Sequence, residues 1–206
     1  MATTAAARRT QAERRASMRA RLLDATIDCL SRLGYSRTTT TEVAERAGVS
    51  RGAQLHHFPT KAELVTNAVE RLFERRHAEF VRAMAGLPAG ADRPAAAIDL
   101  LWSTVSGPPF HAWLELAVAA RTDPELAPSV RALTRRFVEA IERTLPELFP
   151  PPTTPNPLQE IAPMCVVALM DGLALQRLHV ADEAHVERAL SALKNLARLA
   201  VPPIDA

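Results

Sequence analysis

Apolar side chains return at steps of three and four through most of this chain, and no stretch shows the period-two alternation of a strand. From Ser17 to about Leu33 the positions Leu22, Leu23, Ala25, Ile27, Leu30 and Leu33 keep helical spacing, and Gly34 is placed to end that helix. Thr39-Thr40-Thr41-Glu42 reads as a capping box for a short helix, Thr40 to Ala47, which stops at Gly48. Ser50 caps a second short helix, Arg51 to His57, that Pro59 prevents from continuing. Thr60-Lys61-Ala62-Glu63 is another box and opens a long helix to about Ala85.

The remainder is helical with marked joints. Gly86-Leu87-Pro88 and Gly90 precede a helix over about Pro94–Val105, Gly107-Pro108-Pro109 breaks it, and Phe110 to Ala120 forms the next. Asp123-Pro124-Glu125 is a helix start, with an Asp cap, Pro in the first turn and an acid favourable to the dipole; that helix runs to about Leu148. Residues 150–157 (PPPTTPNP) read as a stiff exposed loop. A long apolar helix follows to about Val180, and Asp182 caps the last one, where Val186, Leu190, Leu193 and Leu199 line a face. The expected class is all-α, about nine helices: an N-terminal three-helix unit with a helix-turn-helix, then a helical bundle.

Composition fits this reading: 48% hydrophobic, 23% charged and only 4% aromatic residues describe an ordinary folded chain with an Ala-, Leu- and Val-built core. Net charge is +2, but it is segregated. Residues 1–58 hold ten Arg against five acids, whereas residues 59–206 hold 15 bases against 18 acids. A basic head on a mildly acidic body suits DNA binding by the head. Residues 1–15, with Arg8, Arg9, Arg14 and Arg15, read as a basic flexible arm or a frayed extension of the first helix. Lacking an apolar core, this segment is no secretory signal, and Ile161–Leu175 is too short and too interrupted to span a membrane. Cys29 and Cys165 read as reduced, buried thiols of a cytoplasmic protein.

The informative stretch is 38–64, TTTTEVAERAGVSRGAQLHHFPTKAEL. It is two short helices joined by Ala47-Gly48-Val49-Ser50, with Gly48 supplying the freedom for a sharp turn. Arg51, Gln54, His56 and His57 make the outer side of the second helix polar enough for a major groove, and Gly52 and Ala53 allow close approach. Arg reads guanine, Gln reads adenine, and Ala touches a thymine methyl.

The run V-A-x-x-A-G-V-S-R-G-x-x-x-H-H-F-P-x-K-x-E-L, behind a basic first helix, resembles the DNA-binding domain of tetracycline-repressor (TetR) family regulators over residues 16–66. The resemblance implies a phosphate contact for Thr40, flanked by Thr39 and Thr41. It implies groove-facing positions for Ser50, Arg51, Gly52, Ala53 and Gln54, and phosphate or base contacts for His56 and His57. Lys61 would bind the DNA backbone, and Phe58 would be core. One departure stands out: the family commonly has Leu-Tyr where this chain has Gln54-Leu55, and that Tyr usually binds phosphate. Either Leu55 and Phe58 form the anchoring face, or the short helix is rotated.

Residues 67–206 would then bind a ligand and dimerise. The last two helices are the dimer candidates: Ala168 and Gly172, four apart, permit close helix approach, and Leu190 and Leu193 would share the interface. Family dimers pair through their final two helices, which agrees. Trp102, Phe110, His111 and Trp113 cluster in sequence, with Phe137 further on; they wall a pocket for a lipophilic effector or are plain core. Met164, Cys165 and Met170 are adaptable side chains suited to the same cavity, and Asp171 is the one charge in that run. No nucleophile elbow, metal spacing or other catalytic constellation is present, so neither an enzyme, a metal site nor a cofactor is expected. The leading expectation is a homodimeric repressor on an inverted-repeat DNA operator, released by a lipophilic small molecule. The alternative is a DNA-binding regulator with no small-molecule ligand and a filled C-terminal core.

Overall fold

The computed structural model describes residues 10–149, 157–179 and 182–200, with the side chains of 157–160 left aside. Residues 1–9 of the expected arm, and nearly all of the proline-rich loop, lie outside the described residues. Helices occupy Gln11–Arg37 (α1), Thr40–Ala47 (α2), Arg51–His57 (α3), Lys61–Ala85 (α4), Arg93–Val105 (α5), Pro108–Ala119 (α6), Leu126–Leu148 (α7), Pro157–Arg177 (α8) and Glu183–Ala200 (α9). The fold is all-α, and no strand occurs among the described residues.

Compactness divides the chain into residues 1–72 with 111–131, and residues 73–110 with 132–206. This differs from the expected boundary at residue 66: α4, α6 and α7 each contribute to both units, and α6 from His111 onward belongs with the N-terminal head.

In the head, α1 begins six residues before the expected Ser17. Thr10 and Glu13 cap it reciprocally, the Thr10 hydroxyl accepting from the Glu13 amide at 3.2 Å and the Glu13 carboxylate from the Thr10 amide at 2.8 Å. Residues 11–15 of the expected arm are therefore helix. Leu22, Leu23, Ala25, Cys29 and Leu30 bury the inner face of α1, and Thr26 joins them by returning its hydroxyl to the Leu22 carbonyl at 2.7 Å. Each fully buried Leu here contributes roughly 1.5–3 kcal/mol relative to an exposed one. Leu22, Leu23 and Cys29 pack with Val43 and Ala47 of α2, Phe58, and Leu64 and Ala68 of α4. At Gly34 α1 breaks as expected, with φ +75° and ψ 170°, and one further turn reaches Arg37. The positive φ favours glycine here, and a Cβ would lie 2.7 Å from the Glu115 carboxylate, whose flexible end would have to shift.

The second unit packs α5, α8 and α9 around Ile98, Met170, Leu173, Val186, Leu190 and Leu193, with Trp102 against the cluster. The ends of α4 and α7 meet α5 around Met84, Ala97 and Leu148. Phe73 and Phe137 are tilted against each other at 4.7 Å between centroids, and His77 Nε2 hydrogen-bonds Thr144 Oγ1 at 2.8 Å. Asp182 caps α9 by accepting from the His185 amide at 3.0 Å.

This packing corrects two dimer candidates. Leu190 and Leu193 are only 8% and 5% exposed, inside the protomer's own core, and cannot present themselves to a second copy. Cys165 is also corrected: it is exposed, whereas Cys29 is buried and its thiol is pushed up by desolvation and by Glu42. Among the described residues no helix is long and apolar enough to cross a membrane.

Candidate nucleic-acid interface

The turn between α2 and α3 is built from one glycine and one arginine. Gly48 ends α2 in the left-handed region, at φ +61° and ψ 41°. Arg21, reaching over from α1, donates to the Ala47 carbonyl and to the Gly48 carbonyl, the latter at 3.0 Å. A Cβ on Gly48 would meet that guanidinium at 2.8 Å, so any other residue here would strain the backbone and also push the arginine tip aside. Its charge also suits the carbonyl end of the helix. Arg46 also pairs with Asp28, tying α2 to α1, and Arg32 shares that carboxylate within α1.

α3 starts where the sequence places it, Ser50 Oγ accepting from the Ala53 amide at 3.2 Å. Its rotation is the new information. Gln54 is 0% exposed and Phe58 3%, so the inner row runs through residues 54 and 58. Gln54 Nε2 donates to the Phe58 carbonyl at 2.8 Å, replacing a partner that the end of α3 would otherwise lack, while its Oε1 is buried without one. Gln54 is thus not a base reader; it stands with the anchoring core because the helix turns that way. The outward row is Arg51, Gly52, Leu55 and His56, all exposed, with Ala53 and His57 partly covered at its edges. Leu55, which one alternative placed on the anchoring face with Phe58, is instead exposed, one turn beyond Arg51. Thr41 and Ser50 are exposed, Thr40 is partly so, and Thr39 is exposed while its hydroxyl accepts from the Glu42 amide at 3.1 Å.

Lys61, at the start of α4, is half-buried. Its ammonium donates to the Tyr35 carbonyl at 2.6 Å and lies 3.9 Å from the centroid of the Tyr35 ring. Burial holds its pKa below the usual lysine value, against the opposing pull of Asp123. One of three ammonium donors is spent inside the head, which leaves two for a phosphate. Around it lies a network no local pattern announced. The Tyr35 hydroxyl donates to Asp123 at 3.1 Å, the Tyr35 amide donates to Glu115 at 2.7 Å, and Asp123 caps α7 by accepting from the Glu125 and Leu126 amides at 3.0 Å each. Burial, then the Asp123 hydrogen bond and charge, push the Tyr35 phenol up to about 12. Asp123 is held below the usual carboxylate value, first by the Leu126 amide and, among further causes, by the Tyr35 hydroxyl.

The ligand candidates are divided between the units. His111 and Trp113 belong to the head and are partly buried. In the second unit Met170 is core, Phe110 is buried, Phe137 stacks on Phe73, and Trp102 packs on the Ile98 cluster beneath the Arg177 guanidinium, 6.0 Å from its centroid. Met164, 68% exposed, and Cys165 point outward; they line no interior, because α8 turns its buried face through Met170, Leu173 and Ala174 instead. Ala168 and Gly172 are exposed. Desolvation raises the Asp171 carboxyl above its usual value. Among the described residues no group of three His, Cys, Asp or Glu side chains is arranged to hold a metal.

Residues 22–68 match the model of bacterial regulatory proteins of the tetR family, and residues 106–201 match that of the BetI-type transcriptional repressor C-terminal domain. An HTH-type transcriptional regulator of Mycobacterium bovis is 36% identical over 180 residues, covering 82% of this chain and 87% of its own. The chain belongs to the TetR family. It is a DNA-binding transcriptional regulator, and the α2–α3 pair is the family's helix-turn-helix. A solved transcriptional regulator from Rhodococcus sp. RHA1 is similar at TM-score 0.70 and 25% identity, over 91% of this chain and 99% of that one. A second, from Saccharomonospora viridis in complex with choline, shares the fold at TM-score 0.68 and 20% identity, over 90% and 98%.

Two measurements test this geometry. Gln54→Ala should destabilise the protein by about 1–3 kcal/mol, through a cavity and a lost hydrogen bond, and leave base preference unchanged. Gln54→Leu should fold within about 1 kcal/mol of the parent, because the orphaned oxygen leaves with the lost donor; a change in the selected base pairs with stability intact would return Gln54 to the groove. Tyr35 is the single tyrosine of the chain, so phenolate absorbance reads it directly. The native protein should titrate near 12 and the denatured chain near the ordinary phenol value of about 10. Asp123→Asn should bring the native value only part of the way down, since burial is the larger cause. A folded pKa above the unfolded one means that this contribution to stability is complete below about pH 10 and is lost as the pH rises towards 12.

Proposed function

We propose that the chain acts as a homodimeric repressor on an inverted-repeat operator and is released from it by a small lipophilic effector. The operator symmetry follows from a two-fold dimer, which presents two copies of α3 to two half-sites. Arg51 is the strongest candidate for a guanine contact, Leu55 offers hydrocarbon to a thymine methyl, and Thr40, His56, His57 and Lys61 serve phosphates. A DNA-bound regulator of this kind works in the cytoplasm.

The observation that carries the dimer is the outer face of α8. Ile161, Cys165, Ala168, Gly172 and Leu175 succeed one another at steps of four and three, and all are exposed, beside Met164 and Leu169. On α9 the outward positions Ala192, Leu196 and Leu199 keep the same rhythm. Apolar stripes at this spacing are the pattern of helix pairing. Small residues at 168 and 172 let a partner helix approach closely.

The effector reading rests on the second unit, where Trp102, Phe73 and Phe137 supply aromatic surface and the His77–Thr144 pair a polar group. A structural neighbour was solved with choline, and the C-terminal match is to a repressor domain; both support a ligand-responsive repressor. A second reading has its own observation: Met170 is packed at 1% exposure beside Ile98, Leu173 and Trp102, as in a regulator whose core is filled.

Gly172 separates dimerisation from folding, because nothing of the protomer lies within 4 Å of where its Cβ would stand. Gly172→Leu should therefore melt like the parent while its dimer dissociation constant, by sedimentation, rises about tenfold or more, equivalent to roughly 1.4 kcal/mol. An unmodified protein that sediments as a monomer at micromolar concentration would remove the dimer. For the operator and effector, selection of bound sequences from random DNA by the full chain should return an inverted repeat. A Trp113→Phe variant leaves Trp102 as the one tryptophan, and titrating lipophilic compounds should quench or shift it as operator affinity falls. Fluorescence that changes while affinity holds leaves a site without a switch, and no response across the panel favours the filled core.

A further inference from the structure

The first two turns of α1 bury nothing. Every residue from Gln11 to Ser17 is exposed, and the first fully buried side chain is Leu22. Yet these turns are specified, because the reciprocal Thr10–Glu13 cap sets their start. They carry Arg14 and Arg15, followed one turn on by Arg19. Cations near a helix N-terminus gain nothing from the helix dipole, so these arginines do not serve the helix that bears them. Nor does the rest of the head neutralise Arg14 and Arg15. Glu13 is committed to the Thr10 amide, Asp28 to Arg32 and Arg46, and Asp24 lies near Arg71. No described carboxylate pairs with Arg14 or Arg15.

The position of this basic face is fixed by Arg19. Its guanidinium lies 5.3 Å from the centroid of the Phe58 ring, at the end of α3, and donates to Asn67 of α4 at 2.6 Å. Arg15 is one helical turn before Arg19 and so lies on the same side of α1, next to the last turn of the recognition helix. His57 registers both: after desolvation, the charges of Arg15, His56 and Arg19 are what hold its pKa below the usual histidine value. A strip of Arg15, Arg19, His56 and His57 is thus continuous with the outward row of α3, and Arg14 stands exposed beside Arg15 in the chain.

We propose that the N-terminal turns of α1 are a second DNA-contacting element, in which Arg14 and Arg15 hold the phosphates of the duplex flanking the sequence read by α3. The partner is DNA rather than another anion surface because the strip runs on from the helix-turn-helix without a break. Its role is sequence-independent: a helix lying with its arginines along the backbone gains counterion release, not base identity. The recognised site then has a core, whose bases matter, and a flank, whose presence alone matters.

The test uses the full chain and a duplex obtained by selection from random DNA, in two lengths. One is trimmed to the selected half-sites, and the other is extended at each end by about five base pairs, half a helical turn. Arg14→Ala/Arg15→Ala should bind the long duplex about tenfold or more weaker at low salt, with a salt slope shallower by about 0.9 per lost phosphate contact. On the trimmed duplex it should match the parent within about twofold, and changing the flank's base sequence should have no effect. Arg14→Lys/Arg15→Lys should restore the slope, since charge alone is needed. The alanine variant is expected to keep the parent's melting temperature, as the altered side chains touch no core. An unchanged affinity and slope on the long duplex overturns the proposal, as does an equal loss on both lengths, which would put these arginines inside the core site. Wild-type binding to the trimmed duplex, measured alongside, reports the helix-turn-helix independently.

Discussion

A seven-residue helix does not persist by itself in water, because nucleation costs more than so few hydrogen bonds return. α3 is such a helix, and most of the head can be read as the apparatus that holds it. Ser50 closes one end, the Gln54 amide closes the other through the Phe58 carbonyl, and Phe58 sinks into the cluster of α1, α2 and α4. Arg21 and Gly48 set the angle at which α3 leaves α2. Every outward side chain of α3 owes its direction to these contacts. The outward face of this surface helix is thus set from beneath, by the groups packed on its inner side and at its ends.

Helix positions were largely legible in the sequence because their signals are local: a capping hydroxyl, a glycine with positive φ, a proline that ends a turn. Rotation and facing were not. Gln54 is polar and suggests solvent, yet it is buried, because the Phe58 carbonyl just past α3 offers it a partner and the inner face needs its bulk. The extra turns of α1 escaped for the converse reason. They bury no side chain, so apolar periodicity is silent there, although Thr10 and Glu13 carry the cap signature at the right spacing. The Tyr35, Glu115 and Asp123 contacts join residues 80 and 88 positions apart, a separation no local pattern reports.

α8 shows a related ambiguity. A helix apolar on nearly every side announces two buried faces but does not say which is which. The protomer takes Met170, Leu173 and Ala174, leaving the 161–175 stripe outside. In α9 the same division takes Leu190 and Leu193 inward and leaves Leu196 and Leu199 exposed. Assigning these leucines to a partner from sequence failed because both faces of α9 carry leucine. What separates them is the position of α5, which touches α9 on one side only: Lys194 reaches Asp99 at 2.6 Å, and Arg198 reaches Asp92 at the same distance.

The head is discontinuous in the chain: residues 111–131 complete it after an excursion of 38 residues that belong to the other unit. On the ribosome, therefore, the DNA-binding end emerges first but cannot close until α6 and the cap of α7 have followed. Folding cannot proceed strictly from N- to C-terminus, as it does when each domain is a contiguous stretch. The same discontinuity governs grafting. A chimera cut cleanly after α4 would carry Tyr35 and Lys61 away from Asp123 and Glu115. A recipient body would have to supply an equivalent carboxylate pair, or the graft would have to bring the 111–131 segment with it.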